Sequence, residues 1–120
     1  MDDAILILNE IQIDGFDDNI SNYDSEDIDY ANEILSGVNN QKVTIDSIIE
    51  TFATSFPLKD VAIIDKNILR ISIYEIKYIE LKSKIALDEA IEIAKIFGSE
   101  NSPSFINGVL DSFIQEINKK

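Results

Sequence analysis

The chain has 120 residues and a mass of 13.5 kDa, a length that predicts one domain whose core needs no staples. It contains no cysteine and no histidine, which excludes disulfides, thiol chemistry, thiolate zinc sites and histidine-based triads and so argues against an enzyme. Net charge is −13, and residues 1–41 hold 11 of the 23 acids with no lysine or arginine; that segment repels a polyanion such as RNA, whereas the near-neutral remainder has room for a local basic patch.

Residues 1–13 are ambiguous between helix and strand. Their apolar patch in "MDDAILILNE" has an acidic flank where a signal peptide is basic, and no run approaches the ~18 apolar residues of a membrane span. A cytoplasmic protein is expected, with the plastid stroma as the alternative. Residues 14–24, "DGFDDNISNYD", read as an acidic loop. A calcium loop needs glycine at its sixth position and glutamate at its twelfth, but counting from Asp14 the glycine falls second. The expectation is a solvated acidic loop and no metal.

Ser25 to Ser36 reads as a helix ended by Gly37. From Val43, the residues Ile45, Ile48, Ile49, Phe52, Ala53 and Phe56 follow the spacing of one buried helical face, and Pro57 closes it. Ile63 to Leu81 is apolar almost all round, the pattern of a central helix surrounded by others. Leu87, Ala90, Ile91, Ala94 and Phe97 make a further stripe, ended by Gly98. In "NSPSFINGVLDSFIQEINKK", Ser102 suits a cap and Pro103 the first helical turn, while Ile106, Leu110, Phe113, Ile114 and Ile117 face inward. Gly108, mid-helix, reads as a close-packing contact. The pattern predicts an all-α bundle forming a single domain over 1–120, with an acidic part at 1–24 and a helical core at 25–120.

Few motifs carry chemistry. Asp88, Glu89 and Glu92 sit together on a helix with Lys95 nearby, which suits a solvated face better than acid–base work in a cleft. Four scattered glycines make no phosphate loop, so no cofactor is expected. The one arginine, Arg70, projects within roughly 40° of Lys66 and Lys77 at helical spacing. That stripe is either a binding face for phosphate or an acidic partner, or Arg70 is a structural anchor held by a carboxylate in a bidentate pair. Spacing leaves both readings open.

The strings "ANEILSGV", "IDKNILRISIYEIKYIE" and "KIALDEAIEIAKIFGSENSPSFINGVLD" resemble the NusB family of transcription antitermination factors. The similarity runs from about Asp29 to the C-terminus and is most specific from Ala86 to Asp111. A NusB-like domain also precedes some ribosomal-RNA methyltransferases, but nothing here would hold a methyl donor. The resemblance implies an all-α fold of two packed helical subdomains. It implies pairing with NusE, a small-subunit ribosomal protein, and binding of a boxA-type single-stranded RNA. It also implies roles for residues. Asn101, Ser102, Ser104 and Phe105 would meet RNA, with Phe105 exposed for stacking and free N–H groups at the helix start for a phosphate. Asp65 would contact NusE. Arg70 would pair with Glu89 of the next helix as a structural anchor, with Lys66 and Lys77 flanking it.

The chain departs from the family at its start. "AILILNEIQ" lines up with the first-helix core, but Asn9 stands in the place of a tyrosine, and Met1, Asp2 and Asp3 stand where arginines belong. At a salt slope of roughly −0.9 per phosphate contact on a duplex, and less on a single strand, losing several contacts removes much of the electrostatic affinity. Two functions follow as expectations. One is an antitermination factor acting with NusE, its RNA binding weak alone; the other is a protein-interaction module of the same fold that has lost autonomous RNA binding. Neither takes a small-molecule substrate or a membrane.

Overall fold

A computed structural model describes residues 25–54 and 57–119. The ambiguous start, the acidic loop and the substituted arginine positions lie outside these residues. Within them are five α-helices: α1 (Ser25–Asn40), α2 (Lys42–Phe52), α3 (Ile63–Lys77), α4 (Ser83–Phe97) and α5 (Ser102–Asn118), with a 3-10 turn at Leu58–Asp60 before α3. The all-α reading holds. Helix α3 touches each of the other four, and α4 and α5 form the most extensive pair.

The core follows from the isoleucine periodicity. Ile34 on α1, Ile45 and Ile49 on α2, Ile68, Leu69 and Ile73 on α3, and Ile106 and Leu110 on α5 are fully buried. Each such side chain contributes about 1.5–3 kcal/mol through removal from water. Helix α4 adds small residues, Ala86, Ala90 and Ala94, which let it lie close to its neighbours. All belong to one continuous cluster, so the α1–α2 and α3–α4–α5 groups share a single interior.

Several local expectations change. Helix α1 does not stop at Gly37: Gln41 N–H still reaches the Gly37 carbonyl at 3.0 Å, carrying the ladder past the glycine. The glycine is there because the Tyr74 ring of α3 fills the space a β-carbon would take. Gly108, expected to be the close contact, has nothing within 4 Å of its missing β-carbon and is exposed. Ile117, expected inside, is 37% exposed. Helix α3 ends at Lys77, before Leu81; the chain turns through Glu80, whose φ of 61° is a left-handed conformation costing a side-chain-bearing residue about 1–2 kcal/mol.

The lone arginine also takes a different partner from the expected Glu89. Arg70 donates through Nε and Nη2 to the two carboxylate oxygens of Asp46 on α2, at 2.8 and 3.0 Å. Both side chains are largely buried, at 14% and 18% exposure. Asp46 follows Ile45 on the face that α2 turns to α3, so it lies within reach of the guanidinium while α2 is already docked. The acid that meets Arg70 is thus supplied by α2.

A second polar contact ties α1 to α3. The Tyr30 hydroxyl donates to Glu75 Oε2 at 2.9 Å, and Glu75 has no exposed surface. Burial, followed by the charge of Glu75 and the bond to it, pushes the Tyr30 phenol well above its ordinary value of 10.0, with Glu33 and Glu89 adding to the effect. Because the folded value is raised, the stabilisation is complete below about pH 10 and is lost as the pH rises through and beyond it, where only the unfolded chain ionises. Urea unfolding followed from about pH 8 to about pH 11 should show this decline, and Tyr30→Phe should lack its Tyr30 component while costing about 1–2 kcal/mol at neutral pH.

Candidate nucleic-acid interface

The start of α5 is built by a tight turn from α4. The Gly98 N–H closes α4 on the Ala94 carbonyl at 2.9 Å, and its extended backbone redirects the chain. Ser99 and Ser102 then lock together: Ser99 N–H donates to Ser102 Oγ at 2.9 Å, and Ser102 N–H donates to the Ser99 carbonyl at 3.1 Å. Their hydroxyls also meet at 3.2 Å. Ser102 is 1% exposed. It makes no side-chain cap on α5 and is turned away from solvent, so its place is to position the helix start rather than to touch a ligand.

That lock decides what the helix end offers. Asn101 takes the cap position without a side-chain cap bond, and Phe105 N–H reaches the Asn101 carbonyl at 3.1 Å. Ser102 N–H is used and Pro103 has none. Among the described residues this leaves the N–H of Ser104 without a backbone partner, beside an exposed hydroxyl. Asn101 is exposed as well.

Phe105 lies between the two expectations for it. It is half-buried, with one side packed against the core and the other bordering a hollow of about 510 Å³. Asn101, just before α5, and Ser104, Phe105, Gly108 and Ser112 of α5 face Phe52, Ala53 and Thr54 at the end of α2 across this hollow. The bare backbone at Gly108 keeps its floor open. Among the described residues no charged one lines it, which is notable in a chain of net charge −13. Thr54 and Ser112 went unremarked in the sequence, and Phe52 and Gly108 were read there only as packing residues. Their signal was an uncharged run at positions 101, 104, 105, 108 and 112, one stripe of a helix.

The other candidates separate. Asp65, expected to meet a partner, is 7% exposed, and its Oδ1 is buried; it sits in the first turn of α3, where the helix dipole favours an anion. The exposed groups beside it are Ala62 and Ile63, the latter 60% exposed. The three cations of α3 differ in their surroundings. Lys66 is half-buried, Arg70 is held by Asp46, and Lys77 is exposed with its Nζ 5.6 Å from the centre of the Tyr78 ring. Asp88 and Glu92 are solvated, with Lys84 and Lys95 each at 3.4 Å. Glu89 is half-buried.

The NusB family pattern matches residues 4–115. The chain belongs to the NusB family. Among its relatives, the transcription antitermination protein NusB of Halothermothrix orenii is 47% identical over 87 residues, covering 72% of this chain and 64% of that protein. NusB of Caldicellulosiruptor saccharolyticus is 33% identical over 120 residues, 98% of this chain and 89% of that protein. The solved structure of NusB from T. maritima superposes with a TM-score of 0.77 at 30% identity, over 96% of this chain and 86% of that one. The relatives named here are transcription antitermination proteins, and among the described residues no helix is long and apolar enough to cross a membrane.

Proposed function

We propose that this chain is a transcription antitermination factor that works with NusE on boxA-type RNA during ribosomal-RNA transcription, and that the partner supplies most of the RNA affinity. The observation that carries this reading is the uncharged hollow at the start of α5. The half-buried Phe105 ring borders the hollow where a base would lie, Ser104 offers a free N–H and a hydroxyl, and bare Gly108 leaves room for a base. With no cation among the described residues of the hollow, and with Asp2 and Asp3 in the place of arginines, counterion release gives the isolated chain little affinity. The proposed NusE contact is the head of α3, where Ile63 is exposed above buried Asp65.

RNA binding to a boxA-like oligonucleotide, measured with and without NusE over a salt series, tests the proposal. The pair should bind at least about tenfold more tightly than the chain alone, a difference of about 1.4 kcal/mol. Phe105→Ala should remove about 1–3 kcal/mol of RNA binding from the pair. Gly108→Val is the cleaner variant: it fills the hollow at an exposed position, so it should weaken RNA binding while the fold stays intact. Undiminished binding by both variants would remove the hollow from the RNA path. A second reading, a protein-interaction module without RNA recognition, draws on the acids of residues 1–41. NusE binding with no RNA binding by the pair would establish it.

A further inference from the structure

A second surface lies at the other end of α3, about 20 Å along the helix from Ile63. Ile48 and Phe52 of α2, Ile76 of α3, and Phe113 and Ile117 of α5 form an apolar groove of about 450 Å³. Its floor is firm: Phe52 and Phe113 meet edge to face at 6.1 Å, and Ile76 and Phe113 are buried. Ile117 stands at its open side, 37% exposed. Charged groups border it, namely Lys77, Glu80 and Glu116.

Glu80 is the unusual member. Glycine would occupy its left-handed backbone, φ 61°, without strain, yet this chain places a carboxylate there. Among the described residues Glu80 is exposed and makes no hydrogen bond or ion pair, while Glu116 meets the exposed Lys119 ammonium at 3.5 Å. The strained turn thus holds an unneutralised anion at the mouth of an apolar groove. Charge decides the occupant. Residues 1–24 carry seven acids and no base, and a second copy brings another net −13; both would set like charge against Glu80 and Glu116. We propose that the groove docks a basic amphipathic segment of another protein, one aliphatic or aromatic side chain filling the hollow and flanking lysines or arginines meeting Glu80 and Glu116. The site is distinct from the head of α3 and meets the RNA hollow at Phe52.

Fluorescence anisotropy of the full chain with three labelled helical peptides tests it: leucine–lysine, alanine–lysine and leucine–glutamate amphipaths of equal length. The leucine–lysine peptide should bind at least about tenfold more tightly than either control. Glu80→Lys, Glu116→Lys and Ile117→Lys should each weaken that binding severalfold, whereas Asp88→Lys, the same charge change on the solvated face of α4, should not. Glu80→Gly separates the roles of the turn, since it should raise thermal stability and still lower peptide affinity. Equal binding of the two lysine peptides, or no response to Ile117→Lys, would show attraction to net charge alone and overturn the proposal. So would sedimentation of the free chain as a dimer that Ile117→Lys dissociates, since the occupant would then be a second copy.

Discussion

Arg70→Met should destabilise the protein by about 3 kcal/mol, and Asp46→Asn by a similar amount, because each leaves half of a desolvated ion pair behind. The guanidinium and carboxylate are 14% and 18% exposed and joined by two bonds; an exposed pair would give less than about 1 kcal/mol. Replacing both by apolar residues should cost far less than the sum, since no charge is then stranded. Denaturant unfolding of the two single variants and the double variant measures this coupling. Glu89→Gln serves as the contrast: combined with Arg70→Met its effect should simply add. Coupling to Glu89 in place of Asp46 would reverse the assignment.

Gly98→Ala should have the next largest effect, about 1–3 kcal/mol of lost stability, together with weaker RNA binding by the NusE pair. A β-carbon at this position would come to 2.5 Å from both Cβ and Oγ of Ser102 and 2.7 Å from the Ala94 carbonyl oxygen. Ser102 is enclosed, and the Ala94 oxygen is fixed by its bond to the Gly98 N–H, so the turn itself must open. Opening it swings the helix start that carries Asn101, Ser104 and Phe105. Ser102→Gly should partly restore stability in the Gly98→Ala background by vacating the space. Thermal unfolding and RNA titration of the single and double variants check both halves; a Gly98→Ala protein of unchanged stability would mean that the turn relaxes freely.

The helices were legible because their apolar residues recur at a period that only a helix satisfies, and α3 announced its central place by leaving almost no polar face. What the period does not carry is the identity of the neighbour. Gly37 looks the same in sequence whether it ends a helix or makes room for a ring from 37 residues further along. Arg70 required a carboxylate, but the choice between Asp46 and Glu89 depends on which helix packs against that turn of α3. The signal for Asp46 was present: it is the only acid between Glu33 and Glu50, and it adjoins the apolar face of α2. Asp65 was readable as buried, since it stands on the same face as Ile68, Leu69 and Ser72; attention to its charge obscured its position. At Phe105 periodicity argued for the core and resemblance for the surface. The ring meets both, because a helix edge presents one face to each.

The reach of α3 has a consequence for how the molecule comes apart. Every other described helix rests on it, so no one of them serves as a foundation independent of the rest. Fluctuations that free α3 must strip its partners at the same time, which makes its release equivalent to global unfolding, whereas an outer helix can lift at one end while the remainder stands. The hollow at the start of α5 and the apolar groove both lie where α2 meets α5, and Phe52 lines each of them. Small breathing motions of that outer seam can therefore widen either surface for a guest without loosening the shaft on which both are mounted.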